Sequence, residues 1–137
     1  MVLSGARLAQ KYVELYLNKN PARVAPTSGM GWLGYILRTP GECHSQLRMS
    51  SEIFVDLHNL LVSKYELQPS MHMNTYEALA IFLFICSGNE SNRRTQNRFN
   101  HSGETISRKF SEVLNSLMRV AKDFIVPKDA NFRTVHK

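Results

Sequence analysis

The stretch SNRRTQNRFNHSGETISRKF, from Ser91 to Phe110, decides how this chain folds. Its arginine-rich first part predicts a short helix that ends at Phe99, and a polar turn follows at residues 100–103. A long amphipathic pattern begins directly behind the turn. Two helices joined by a turn of about three or four residues form a helix-turn-helix. The stretch therefore predicts that motif, and its second helix is the longest in the sequence.

The second helix is predicted from about Gly103 to Ile125. Ser102 is a suitable N-cap because its hydroxyl can accept from a backbone N–H of the first turn, and Pro127 cannot continue the helix. The apolar residues recur at the spacing of one helix face, which we expect to be buried: Ile106, Phe110, Val113, Leu114, Leu117, Ala121 and Phe124. The opposite face is polar: Glu104, Arg108, Ser111, Glu112, Asn115 and Arg119. Solvent or a partner would meet this polar face.

The helix before the motif is predicted from Asn74 to Ser87. Asn74 would cap it, Glu77 would be the reciprocal partner of that cap, and Gly88 would end it. Its run from Ala78 to Cys86 is apolar on all sides, which is typical of a helix covered by its neighbours. We therefore expect it to be the central helix of the fold.

Further towards the N-terminus, three more helices are predicted. Ser50 caps a helix that continues to Tyr65, and its buried stripe would comprise Ile53, Phe54, Leu57, Leu60 and Leu61. A helix from Gly29 to about Leu37 precedes a break at residues 39–41, and Ser4 to Asn18 forms an amphipathic helix. No strand pattern competes. The sequence predicts an all-α bundle of five or six helices: an N-terminal helix and linker at 1–28 and a helical domain at 29–137, whose motif region is about 74–125.

Several segments together resemble one family. The run from Leu47 to His136, with LRMSSEIF, MNTYEALAIFLF, SNRRTQNRFNHSGETISRKF and ANFRTVH, looks like the N-terminal domain of plant Harbinger-type transposase-derived, nuclease-like proteins. In that family a helical, helix-turn-helix-like domain precedes a nuclease of the DDE type. The first catalytic aspartate of the family lies beyond the segment that matches ANFRTVHK. The resemblance thus implies a nuclear domain without the active site.

The search for chemistry supports a non-catalytic interpretation. Cys43 and His44 are the only adjacent pair of metal ligands, and no phosphate-binding loop or nucleophile elbow is present. We expect no enzyme activity, no metal or other cofactor and no small-molecule substrate. The longest apolar run is about half a membrane span, so no membrane association is expected. Two cysteines are too few for a disulfide framework, and Cys86 is predicted to be a buried, reduced thiol.

The charge favours a polyanion as the partner. The chain carries a net charge of +6, and residues 73–137 hold ten Lys and Arg against six Asp and Glu. Arg93, Arg94 and Arg98 are candidates for phosphate contacts, and Arg108 could fork onto a guanine in the major groove. The complete set of predicted DNA-binding residues is Arg93, Arg94, Arg98, Ser102, Thr105, Arg108 and Lys109.

Two functions remain open at the level of sequence. The first is a DNA-binding helix-turn-helix module. The second is a protein-interaction module that docks a Myb/SANT-like or chromatin-associated partner, because Harbinger-type elements pair their nuclease with a separate DNA-binding protein. Glu104 and Glu112 favour the second, since they would repel phosphates, although Glu104 could also accept from a cytosine or complement the helix dipole. An exposed apolar patch, such as Tyr12, Trp32 and Tyr35, would identify a protein interface.

Overall fold

The computed structural model of this chain describes residues 29–127. That part of the chain contains six helices and no strand, which confirms the predicted all-α class. The helices are α1 (Gly29–Arg38), α2 (Glu42–Leu47), α3 (Ser51–Lys64), α4 (Thr75–Gly88), α5 (Asn92–Phe99) and α6 (Gly103–Phe124). The helix predicted at Ser4–Asn18, the linker behind it and the last ten residues lie outside the described residues.

Helix α4 is the centre of the bundle, as predicted, and contacts all five other helices. Eight of its residues are buried: Thr75, Glu77, Ala78, Leu79, Ala80, Ile81, Phe82 and Phe84. The Asn74 cap is confirmed, because its Oδ1 accepts from the Glu77 N–H at 2.8 Å. The predicted end was one residue early, since the helix continues through Gly88 and Asn89 takes the left-handed conformation at φ 49°. An asparagine tolerates that conformation better than most residues, so it can replace glycine as the terminator.

Helix α3 begins at the predicted Ser50 cap, whose hydroxyl accepts from the Ile53 N–H at 3.3 Å. Its buried face differs from the predicted stripe. Ile53 is 57% exposed, whereas His58 is buried and has Nε2 2.7 Å from the Thr75 hydroxyl. The imidazole also stacks on the Tyr76 ring at 3.4 Å between centroids. The Thr75 hydroxyl and the Tyr76 ring on α4 thus allow His58 to be buried, whereas Ile53, which the hydrophobic pattern predicted to be buried, is exposed.

The buried face of α6 is rotated relative to the predicted stripe. Ile106 and Val113 are buried as expected, but Leu114 and Phe124 are exposed, and Lys109 and Ser116 are buried instead. A lysine has a long aliphatic stem that can line a core while its ammonium finds a carboxylate. From its residue type, Lys109 was expected to be exposed to solvent, so the predicted buried face of α6 did not include it.

Helix α2 was not predicted. Gly41 precedes it in the left-handed conformation at φ 80°, and Cys43 and Leu47, four residues apart, are both buried. Burial raises the pKa of the Cys43 thiol. The expectation of a buried Cys86 is wrong, because Cys86 lies on the exposed side of α4.

Candidate nucleic-acid interface

Helices α5 and α6 form the predicted pair, with residues 100–102 between them. Asn100 ends α5 in the left-handed conformation at φ 55°, and its N–H donates to the Gln96 carbonyl at 2.7 Å. His101 fixes the turn to the centre of the bundle, because its Nε2 lies 2.9 Å from Oε1 of the buried Glu77. That contact uses the Glu77 carboxylate, which was predicted to complete the Asn74 cap instead.

One side of α5 is attached to the first turn of α6 by amide side chains. The Asn92 amide donates to the Ser107 hydroxyl at 3.2 Å, and the Gln96 amide donates to Asn92 Oδ1 at 2.9 Å. Thr95 and Phe99 face the core and are buried. These contacts fix the orientation of α5, so its remaining side is directed away from the bundle.

That remaining side is the arginine face of α5, which consists of Arg93, Arg94, Asn97 and Arg98. Arg94 meets Glu90 at 3.0 Å, and this is an ion pair of the i, i+4 type. The Arg98 guanidinium lies 5.3 Å from the centre of the Trp32 ring, within the range of a cation–π contact. Helix α5 itself contains three arginines and no acidic residue. The structure thus brings three predicted site residues together on one small helix.

Asn97 is the residue of this face that the sequence analysis missed. It follows Arg93 by four residues, which places both side chains on the same side of a helix. An amide can donate and accept, as contacts with phosphates and base edges require. The four-residue spacing was the signal that could have identified it.

Ser102, Thr105 and Arg108 form a second group at the start of α6. The Ser102 hydroxyl accepts from the Thr105 N–H at 3.2 Å, which confirms the predicted cap, and donates to the Thr105 hydroxyl at 3.0 Å. These three residues border a cleft of about 510 Å³ between the turn and the loop before α4. Both hydroxyls therefore already have partners within the helix.

Arg108 lies between two glutamates on the surface of α6. Its Nε is 3.2 Å from Glu104 Oε1, and one terminal nitrogen is 3.6 Å from Glu112 Oε1. Each such exposed pair contributes at most about 1 kcal/mol, so a phosphate could replace either glutamate. Lys109 also pairs with Glu112, so these two cations and two glutamates sum to a local charge of zero, which does not attract a polyanion.

The position of Lys109 differs from the prediction that it lies on the DNA-binding surface. Only 3% of its side chain is exposed, and its Nζ lies 2.6 Å from Glu112 Oε2. An ammonium in this position cannot reach a phosphate outside the protein without leaving the core. Lys109 therefore belongs to the packing of α6 and not to a surface that binds DNA.

The charge of the helical body is also smaller than the total suggests. Residues 29–127 contain ten Lys and Arg against nine Asp and Glu, a net charge of +1 out of the +6 of the chain. The remaining net charge of +5 comes from residues 1–28 and 128–137, which contain seven Lys and Arg against two Asp and Glu. Any attraction of the helical body for a polyanion must therefore be local, and α5 is where cations are concentrated.

The aromatic patch that was expected for a protein interface is divided in the structure. Trp32 is half-buried and packs edge-on against Phe84 and Phe99, with ring centroids 5.5 and 5.4 Å away. Tyr35 is exposed, and Tyr12 lies outside the described residues. Trp32 thus packs against the core through Phe84 and Phe99 and also makes the cation–π contact with Arg98.

Residues 29–127 show neither a metal-binding cluster nor a membrane-spanning helix. No group of three or more His, Cys, Asp and Glu side chains there could hold a metal ion. None of the six helices is long and apolar enough to cross a membrane.

Comparison with known protein families gives a match to this chain. A family model described as "Domain of unknown function (DUF8040)" matches residues 24–119, which is more than half of the chain. The chain belongs to the DUF8040 family. The matched part of this DUF8040 protein includes α1 to α5 and most of α6. Neither the curated proteins nor the solved structures gave a significant match.

The arrangement in this DUF8040 domain is suited to binding an anion. The arginine face provides planar donors that pair with phosphate oxygens in a bidentate manner. The cleft beside the turn adds hydroxyl groups and Arg108. Two histidines line the cleft, His72 and His101, and His101 is already paired with Glu77.

Proposed function

We propose that this domain is a non-catalytic, nuclear DNA-binding module of the helix-turn-helix type, and that the arginine face of α5 contacts the DNA backbone. The observation that carries the proposal is the concentration of Arg93, Arg94 and Arg98 on a helix without acidic residues. The resemblance of residues 47–136 to the N-terminal domain of Harbinger-type transposase-derived proteins supports it. In this proposal α5 provides most of the contacts, because α6 has a nearly neutral polar surface.

The existing contacts of the arginines are compatible with phosphate binding. The Arg94 side chain is 73% exposed, and its guanidinium carries several donors, so it can reach a phosphate while it stays paired with the mostly buried Glu90. Trp32 supports the Arg98 side chain from one side and restricts its freedom, which reduces the entropy lost when a phosphate binds. Ser102, Thr105 and Arg108 are proposed as the second group of contacts, and Lys109 is not included.

The direct test is fluorescence anisotropy of a labelled random duplex, titrated with the chain at several salt concentrations. The variant replaces Arg93, Arg94 and Arg98 with alanine. Each neutralised phosphate contributes about 0.9 to the slope of log K against log salt, so the variant should lose up to about 2.7 of that slope. Its affinity should fall together with the slope.

A matched control removes three positive charges elsewhere. Arg38, Arg48 and Lys64 are exposed residues outside α5, and changing all three to alanine gives the same net charge. This control and Lys109→Met should keep most of the slope. Equal losses in both triple variants would show that only net charge matters, and absence of binding at low salt would refute the proposal.

A second function is favoured by a different observation. Arg108 is balanced by Glu104 and Glu112, so the first half of α6 presents a mixed surface that suits a protein better than a polyanion. We propose as the alternative a module that docks a Myb/SANT-like or chromatin-associated protein. The test is co-elution of the purified chain with a purified Myb/SANT-like domain, with and without Arg108→Glu. A complex that the charge reversal abolishes, together with no DNA binding, would favour this alternative.

A further inference from the structure

The arginine face of α5 has one short side chain among three long ones. At 3.6 residues per turn, its members lie at about 0°, 40°, 100° and 140° around the helix axis, in the order Arg93, Asn97, Arg94 and Arg98. Arg93 and Arg98 are therefore the two edges of the face, and Asn97 lies between them. The face thus has long cationic side chains at its edges and a short amide near its middle.

The Asn97 amide differs from the other two amides of α5. The Asn92 amide donates to the Ser107 hydroxyl of α6, and the Gln96 amide donates to Asn92 Oδ1. Asn97 is exposed, and within residues 29–127 its side chain has no hydrogen-bond partner. Among the described residues nothing therefore competes with a ligand for its donor and its acceptor.

A helix with this face fits the major groove of duplex DNA. The groove is about 12 Å wide and admits an α-helix, and the eight residues of α5 span about 12 Å. Long arginines at the edges of the face can reach the phosphates that border the groove, while a residue near the middle faces the base edges. An asparagine amide pairs in a bidentate manner with N6 and N7 of adenine. The middle residue thus has the chemistry that recognises a base.

The charge around α5 selects DNA as the occupant of this face. Helix α5 contains three arginines and no acidic residue. Glu90, the acidic residue closest to α5 in sequence, precedes the helix and is paired with Arg94. Base edges lie between two rows of phosphates, so a cationic face with a central amide is complementary to both.

We propose that α5 lies in the major groove of duplex DNA, where Asn97 pairs with N6 and N7 of one adenine and Arg93 and Arg98 contact phosphates on opposite sides of the groove. This inference rests on the proposed DNA binding and adds to it the base that is recognised and the residue that recognises it. Phosphate contacts position a protein on the duplex, whereas contacts with base edges give sequence preference. Asn97 is thus the specificity-determining residue, and the arginines supply affinity that does not depend on sequence.

Helix α6 is less suited to this position in the groove. Its exposed cation Arg108 lies 3.2 Å from Glu104 and 3.6 Å from Glu112. Carboxylates on an inserted helix would face the phosphates on both sides of the groove and be repelled by them. In this arrangement α6 supports α5 from the side. Base recognition then belongs to Asn97 and not to Arg108, where the sequence analysis expected it.

Enrichment of binding sequences by the whole chain tests the inference. The probe is a pool of duplexes randomised over about ten base pairs, which is one turn of DNA, and the bound sequences are read after repeated selection. One position of the enriched sequences should be adenine. Replacing that A·T pair with G·C should weaken binding of the wild type at least about fivefold in the anisotropy titration.

The variant Asn97→Ala separates base recognition from phosphate contact. It should bind the two duplexes equally, because the amide is lost, and keep the slope of log K against log salt, because no charge changes. Asn115→Ala is the matched control at an exposed asparagine of α6, and it should retain the preference of the wild type. Arg108→Ala should weaken both duplexes alike and so keep the preference. Circular dichroism melting shows whether each variant remains folded.

Two outcomes would overturn recognition by Asn97 and leave the proposed DNA binding intact. The first is a wild type that binds the random duplex in a salt-dependent manner but enriches no preferred base. The second is a preference that Asn97→Ala retains, and its loss in Arg108→Ala would then assign recognition to α6. Absence of binding to any duplex at low salt would refute both proposals together.

Discussion

Single residues in this domain are placed by their partners as much as by their hydrophobicity. His58 is buried because its imidazole forms a hydrogen bond with the Thr75 hydroxyl and stacks on the Tyr76 ring, and Lys109 is buried because its ammonium lies 2.6 Å from Glu112. Leu114, an aliphatic residue on the same helix as Lys109, is exposed. Burial of a polar group is tolerated when its hydrogen bonds are satisfied, and no buried side-chain nitrogen or oxygen atom in residues 29–127 lacks a hydrogen-bond partner.

His58 makes the stability of the domain depend on pH. Burial lowers the pKa of His58, and the hydrogen bond with Asn59 opposes this only partly. Between the folded pKa and the unfolded value of about 6.5, the unfolded state binds more protons. The stabilising contribution of neutral His58 is therefore complete above about pH 6.5 and is lost as the pH falls through the folded pKa. Urea unfolding from pH 8 to 5 should show this decline in the free energy of unfolding.

The variant His58→Gln separates this effect from the titration of other groups. At pH 7.5 it should be less stable by about 1–3 kcal/mol, because the Thr75 hydroxyl loses a buried partner. Below pH 6.5 its stability should fall less steeply than that of the wild type. His72→Gln, at an exposed histidine, should retain the wild-type slope. An unchanged slope in His58→Gln would contradict the assignment.

At the scale of the elements, capping residues determine where α3, α4, α5 and α6 begin. Ser50, Asn74, Ser91 and Ser102 each accept from the N–H three residues ahead, and all four starts could be predicted from sequence. Caps are local, because donor and acceptor are only three residues apart. The buried faces of α3 and α6 could not be predicted equally well, since they depend on which neighbour each helix meets.

Substitutions of Ser102 can distinguish its role as the N-cap of α6 from its proposed contact with DNA. Ser102→Ala removes the cap of α6 and should cost about 1 kcal/mol in the free energy of unfolding. Ser102→Asp restores the cap and suits the positive end of the helix dipole, so its stability should equal or exceed that of the wild type. If a phosphate lies near this turn, Ser102→Asp should also weaken duplex binding in the anisotropy titration. Wild-type affinity in Ser102→Asp would remove Ser102 from the proposed contacts.

The whole molecule distributes its charge unevenly. The helical body of residues 29–127 is nearly neutral at +1, although the chain carries +6. Any DNA binding should therefore have two components, one from the arginine face of α5 and one from the remaining charges. Overall charge alone is a poor guide to the binding surface of this protein.

A charge variant outside the helical body measures the second component. Changing Lys128, Arg133 and Lys137 to serine should lower the slope of log K against log salt by up to about 2.7. Circular dichroism melting checks that this variant keeps the fold of residues 29–127. The loss should add to that of the α5 variant, since each neutralised phosphate contributes separately to the slope. A combined loss no larger than either single loss would contradict two separate components.

The sequence by itself determined the all-α class, the starts of α3 to α6 and the central position of α4, because each rests on interactions within a few residues or on an apolar run with no polar side. It also placed Arg93, Arg94 and Arg98 on one short helix. Only the tertiary structure decided which faces are buried: it took Lys109 from the predicted site into the core, left Leu114 in solvent and paired Glu77 with His101. The physical reason is that burial depends on partners distant in the chain, and the residue type alone does not specify which partner a side chain meets.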